Sequence, residues 1–330
     1  MSQTILYPLR FTPIYQYRLW GGRRFAELLS APLPGDGPIG EAWVLSDRDD
    51  HQSLVADGPL KGRAISQLLE QFPEQIMGTL AGRFRRFPLL LKFLDAREML
   101  SVQVHPRDAN KDLLPLGETG KTEAWVVLEA GKESRIYVGL KQGATADDLR
   151  RAIASGTLAD RLVCFHPQPG DAVFTPAGTG HALGGDVVVF EIQQNSDVTF
   201  RLYDWGHVDA KTGQPRALQV EQALACVDFS RDGAGLVTPV VEATAPVERE
   251  RIFHGEQFWL WRLRGQSPFT VGAAGAPRVL VCLEGVGQIA RGSAAWEVRK
   301  GDVFLLPAVL GACTVQPRGA ITVLEIEIPE

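Results

Sequence analysis

The chain has 330 residues, 45% of them hydrophobic and 22% charged, with a formal net charge of −5. This length accommodates two domains and a sizeable apolar core, and mild acidity without a lysine or arginine stripe excludes a nucleic-acid binder. Four cysteines, Cys164, Cys226, Cys282 and Cys313, lack CxxC spacing, which argues against a zinc ribbon or a dense disulfide framework and predicts reduced, mostly buried thiols.

Residues 1–20 contain no continuous apolar run, and nowhere do about 18 uninterrupted apolar residues occur, so a cytoplasmic protein without a membrane span is expected. Short alternating or apolar segments separated by Gly, Pro and Asp then predict strands at 42–46, 89–93, 101–105, 123–128 and 135–139. A helical spacing of apolar residues lies at 65–77. Thr145 opens a Thr-x-x-Asp capping pattern into a helix through 149–153. Strands follow at 172–175, 187–193 and 199–203, and a further helix at 218–227. Between residues 228 and 247 the chain turns rich in Gly, Ala, Pro and Val without periodicity, which reads as a linker. Beyond it, strands are predicted at 259–263, 279–283, 303–306 and 321–328. So many short strands favour a mainly β sandwich or barrel.

An internal repeat crosses the linker. The segment 170–177 (GDAVFTPA) matches 301–308 (GDVFLLPA) with Gly, Asp, Pro and Ala at equal offsets, and each is followed by a strand bearing a glutamate, Glu191 and Glu325. Continuing this alignment places Ala312 where His181 stands, and a second alignment, of 127–129 (VLE) with 282–284 (CLE), places Arg278 where Glu123 stands. The second copy thus keeps a scaffold without ligands.

Three clusters carry the chemistry: Gln103-Val104-His105, Lys121-Thr122-Glu123, and His181 after a Pro-Ala-Gly-Thr-Gly run. Alternation puts Ser101, Gln103 and His105 on one strand face. Glu123 and His181 sit in equally apolar, β-rich surroundings, where an unpaired carboxylate or imidazole is costly to bury and a shared cation removes that cost. One amide oxygen, two imidazoles and one carboxylate suit a borderline divalent ion, zinc first, with manganese, iron, cobalt or nickel as alternatives.

Five segments, 87–95 (FPLLLKFLD), 100–106 (LSVQVHP), 120–125 (GKTEAW), 176–183 (PAGTGHAL) and 191–204 (EIQQNSDVTFRLYD), resemble in the same order those of type I mannose-6-phosphate isomerases of the short bacterial form. The resemblance covers residues 1–230, and the remainder is compatible with the family's second cupin domain. It implies two cupin-type jelly-roll β-barrels with a few short helices, a metal-bearing catalytic domain at 1–235 and a metal-free C-terminal domain at 236–330. It implies interconversion of mannose 6-phosphate and fructose 6-phosphate by metal-assisted proton transfer through a cis-enediolate. One divalent metal, usually Zn2+ in the family, would be held by Gln103, His105, Glu123 and His181. Lys121, Glu191 and Arg201 take the catalytic positions, with Glu191 and Lys121 ranked above His51 as proton carriers; Lys92 and Ser101 take positions associated with phosphate. The expected partner is a small sugar phosphate, with neither nucleic acid nor membrane, in a monomer or homodimer.

Two departures bear on the substrate. His207 stands where the family usually carries an arginine or lysine, and the segment 46–51 (SDRDDH) replaces a Ser-Ala-His-Pro pattern. A fixed cation anchors phosphate at neutral pH, whereas an ordinary histidine is largely neutral. These changes keep open a related metal-dependent isomerase of another sugar. Two further alternatives are a non-catalytic, sugar-binding regulatory cupin and an iron-dependent oxygenase, because cupins host all three.

Overall fold

The structure, a computed structural model, describes residues 6–230 and 236–330. The expected domain boundary at residue 235 and the segment 231–235 of the expected linker lie outside the described residues. Among those described there are 26 strands and five α-helices, which makes the fold mainly β. Four sheets of four or more strands stack in layers.

The six-stranded sheet contains Ile14–Gly22, Ile39–Leu45, Leu89–Ala96, Glu123–Ala130, Ala172–Thr175 and Val187–Gln194. Its two faces follow from side-chain alternation. Leu94, Trp125, Val127 and Val189 pack with Ile136, Val138 and Leu183 of the five-stranded sheet. Between those residues, Leu91, Phe93, Val126 and Phe190 point the other way, onto Leu260, Val281, Leu305 and Ile326 of a seven-stranded sheet. Strands buried on both faces read as nearly continuous apolar runs, as 87–94 does. The seven-stranded sheet in turn packs Leu280, Phe304 and Val323 on Ile289, Val298 and Val315 of a four-stranded sheet. On the outer face of the five-stranded sheet, Val102, Val104 and Leu202 are covered by Leu149 and Ala223 from the helices Ala146–Ala154 and Val220–Cys226.

The repeat is visible in backbone hydrogen bonds. Val127 N donates to Asp171 O and Gly170 N to Val127 O; Cys282 N donates to Asp302 O and Gly301 N to Cys282 O. Glu191 pairs with Trp125 and Glu325 with Leu280, keeping the same offset. At matching positions of the second copy, Arg278 pairs with Glu327, and Glu325 receives Arg249 at 3.0 Å and the Gly272 N–H at 2.7 Å. The two halves also share a sheet, since Leu9–Arg10 pairs with Val303–Leu306.

Three expectations are corrected. The helix expected over 65–77 is two, Ile65–Gln71 and Pro73–Met77, because proline lacks the N–H to continue the ladder and drives Phe72 out of the helical region. Part of the expected linker is the strand Val240–Ala243, an edge strand pairing with Glu248–His254. Strand Ile14–Gly22, absent from the expected set, breaks its alternation at register shifts around Tyr17. No helix among the described residues is long and apolar enough to cross a membrane.

Candidate active site

The inner faces of the six- and five-stranded sheets line a cavity of about 380 Å3. Strand register sets its layout. His181 pairs with Gln103, and Gln103 pairs on its other side with Arg201, so these inward side chains lie in one row about 4.8 Å apart. On the facing sheet, Trp43, Lys92, Glu191 and Trp125 form a second row. Glu123 stands two residues before Trp125 on the same face.

His105, Glu123 and His181 bring their ligand atoms within 4.8 Å of one another, and all three are buried. His105 Nδ1 lies 2.8 Å from Val198 O and His181 Nδ1 2.9 Å from Thr179 O. Donation from each Nδ1–H to its carbonyl leaves both Nε2 lone pairs facing Glu123, at 3.3 Å from Oε1 and 3.5 Å from Oε2. Burial, reinforced by the Lys121 charge, pushes His105 down to about 3, and burial also lowers His181. The imidazoles are therefore neutral at pH 7, the form that binds metal. Burial opposes ionisation of Glu123, but Lys121 Nζ at 2.8 Å from Oε1 holds the carboxyl well below its usual range. Despite that ion pair, neither Glu123 oxygen meets hydrogen-bond geometry with a donor. An anionic carboxylate facing two neutral imidazoles fits a divalent cation. Gln103 stands beside them: its Nε2 is 3.2 Å from His181 Nε2, and rotating the amide by half a turn brings Oε1 to that place.

Lys121 Nζ also lies 3.3 Å from His105 Nε2. Glu191 is 3% exposed; its Oε2 accepts from Trp125 Nε1 at 2.9 Å and its Oε1 lies 3.1 Å from Lys92 Nζ. Burial and the nearby Glu123 charge outweigh the lysines and raise Glu191 to about 7. Lys92 is shared with Glu41 at 3.8 Å, and Glu41 also accepts from Arg18 at 3.0 and 3.1 Å. Arg201 lines the cavity with a buried Nε that has no partner and makes no ion pair among the described residues. Asp204, three residues on, is held by Arg216, whose Nε is 2.8 Å away.

Nine of the ten site residues read from the sequence are brought together around this cavity. Ser101 lines it, with Oγ 3.5 Å from Gln103 Oε1, and His105 stands behind Lys121 and Glu123. His207 does not line it; its ring nitrogens lie 3.6 Å from Glu98 and 3.6 Å from Asp204. His51 packs on Trp43, ring centres 5.0 Å apart, outside the lining. Sequence reading missed Arg18, Glu41, Trp125 and Arg216. Glu41 lies one residue before the strand expected at 42–46, where alternation two residues ahead of Trp43 would have placed it inward.

Comparison with known proteins agrees with this geometry. The family model for the phosphomannose isomerase type I catalytic domain matches residues 9–121, a stretch that includes Gln103, His105 and Lys121. "Probable mannose-6-phosphate isomerase GmuF" of Bacillus subtilis is 32% identical over 318 residues, covering 94% of this chain and 96% of that protein. "Mannose-6-phosphate isomerase ManA" of the same organism is 32% identical over 325 residues, covering 92% and 94%. The crystal structure of the mannose 6-phosphate isomerase from Bacillus subtilis superposes with a TM-score of 0.88 at 30% identity, over 97% of this chain and 99% of that one. With similarity running nearly end to end and a buried His-Glu-His cluster at the centre of the shared fold, the chain belongs to the type I phosphomannose isomerase family.

Proposed function

We propose that this enzyme interconverts mannose 6-phosphate and fructose 6-phosphate in the cavity between the two N-terminal sheets. The observation that carries the reading is the unsatisfied Glu123 carboxylate between two neutral histidines, with Lys121 and Glu191 on the same cavity. Gln103, His105, Glu123 and His181 would hold one divalent ion, with Zn2+ suited to this nitrogen and oxygen set. Bound there, the ion supplies Lewis-acid polarisation of the sugar oxygens near C1 and C2.

The remaining steps fall to side chains. Glu191 is tied at Oε2 by Trp125 and flanked at Oε1 by Lys92, so its orientation is fixed while Oε1 remains without a satisfied hydrogen bond. A carboxyl near neutrality can take a proton from one carbon and return it to the next, which is the role assigned to Glu191. Lys121 serves as the second proton-handling group, donating to a substrate oxygen from beside Glu123. Arg201, one strand beyond Gln103, stabilises negative charge on the substrate. Five cationic side chains and five carboxylates line the cavity, so a bound divalent ion tips its balance towards an anionic sugar. The segment 236–330 is assigned to a metal-free domain that backs the catalytic sheets.

A coupled assay for fructose 6-phosphate tests the reading. Turnover of mannose 6-phosphate is expected; consumption of oxygen, or binding of sugar without isomerisation, would overturn it.

A further inference from the structure

Beside Arg201 the cavity contains two further arginines, Arg18 and Arg216, that neither the proton transfer nor the metal cluster uses. Arg201 occupies the edge strand Phe200–Tyr203, and the segment leading into helix Val220–Cys226 runs beside it: Gln219 N donates to Arg201 O at 2.9 Å and Arg201 N to Gln219 Oε1 at 3.1 Å. That segment carries Arg216 to the cavity, on the side of Arg201 away from Gln103. From the facing sheet, Arg18 reaches the same cavity. All three guanidinium groups line this cavity, and burial together with the Arg216 and Arg18 charges lowers the Arg201 pKa against Asp204 and Asp197.

Each of the other two is braced by a carboxylate through part of its fork. Arg18 gives Nε and Nη2 to Glu41, leaving Nη1 with only the Tyr17 carbonyl at 3.3 Å. Arg216 gives Nε and Nη2 to Asp204. Glu41 is itself divided between Arg18 and Lys92. Asp197 and Asp209 also line the cavity, Asp197 exposed and Asp209 engaged with Tyr17 Oη and Lys211 N. Braced guanidinium forks beside an unpaired one suit a tetrahedral dianion, which takes planar donors in pairs.

We propose that Arg18 and Arg216, with Arg201 between them and the metal ligands, form the phosphate clamp of this enzyme and set its specificity for a phosphorylated sugar. The clamp replaces the cation that His207 does not supply. Lys92, held between Glu41 and Glu191, acts on Glu191 and not on phosphate. This inference rests on the sugar-phosphate reading of the same cavity.

The test uses the full-length, zinc-loaded chain as wild type, Arg18→Gln and Arg216→Gln, with Arg18→Lys and Arg216→Lys as companions should a glutamine variant not fold. Two quantities are measured: affinity for inorganic phosphate by calorimetry, and KM for mannose 6-phosphate. Each glutamine variant is expected to weaken both by about tenfold or more, the size of one charge-assisted hydrogen bond, while retaining bound zinc; each lysine variant should fall in between. Unchanged phosphate affinity and KM in either folded arginine variant would overturn the clamp. Wild-type protein that binds phosphate yet fails to isomerise mannose 6-phosphate would overturn the functional reading alone, with the clamp still decided by phosphate affinity. Wild-type protein without phosphate affinity would overturn the clamp.

Discussion

Lys92 and Glu191 face each other from paired strands, Nζ to Oε1 at 3.1 Å, both almost wholly buried. Lys92 lowers the Glu191 pKa against burial and the Glu123 charge, and the result is a carboxyl near 7. Removing the ammonium in Lys92→Met leaves Lys121 alone against burial and the Glu123 and Glu41 charges, all of which favour the protonated acid. The acid limb of the pH–rate profile is therefore expected to move to higher pH, with lower turnover at pH 7. A limb that stays in place would show that Glu191 is not the titrating group. Glu191→Gln removes the proton carrier, and kcat should fall about 10²–10⁴-fold with metal content unchanged.

Glu123→Gln and His181→Ala are expected to lose bound metal and activity together, because each removes a ligand from a buried cluster that has no substitute among its neighbours. Arg201→Ala should keep its metal while turnover collapses. Elemental analysis beside the rates checks this, and a ligand variant with full occupancy and full activity would contradict it.

Glu41 responds to acid in a direction that can be worked out. Burial opposes its ionisation, but Lys92 and Arg18 win and hold it at about 2, below the 4.5 of a free glutamate. A depressed folded-state pKa contributes stability that is fully present above about 4.5 and is lost as pH falls towards 2. The difference corresponds to about 3 kcal/mol. Wild type should lose roughly that much more than Glu41→Gln between about pH 6 and about pH 2.5, read by urea unfolding. Equal losses in both proteins would remove Glu41 from the acid response.

Phe93 and Phe190 pack at a tilt, ring centres 5.1 Å apart, on the face of the catalytic sheet turned towards the seven-stranded sheet. Truncation of Phe190 to alanine empties a fully buried site and should destabilise by about 3–5 kcal/mol. Metal affinity of the folded fraction should hold, since the ligands point to the opposite face. Thermal unfolding beside zinc titration distinguishes the two effects.

The candidate metal cluster was legible in the sequence because its residues lie on strands or directly beside them: Gln103 is on Val102–Val104, His105 follows that strand at the same alternation, Glu123 opens Glu123–Ala130, and the apolar residues between them mark the opposite face. The arginines were not legible for the converse reason. Arg18 lies on a strand whose register slips beside Tyr17, and Arg216 follows a hairpin of two-residue strands, Val208–Asp209 and Gln214–Pro215. Neither position has a periodicity that fixes its direction. His207 shows the limit of positional matching: motif spacing placed it at the phosphate end, while Asp204 and Glu98 draw its ring away from the cavity. The linker was misread at Val240–Ala243 because an exposed edge strand buries neither face and leaves no alternating pattern.

The central claim, metal-assisted isomerisation at the His105, Glu123 and His181 cluster, is tested most directly by titrating zinc into chelated protein while following conversion of mannose 6-phosphate to fructose 6-phosphate. Turnover that is absent without metal and rises to a plateau at one bound zinc per chain is the predicted result. Full turnover in metal-free protein, or none in folded protein carrying one zinc, would contradict it.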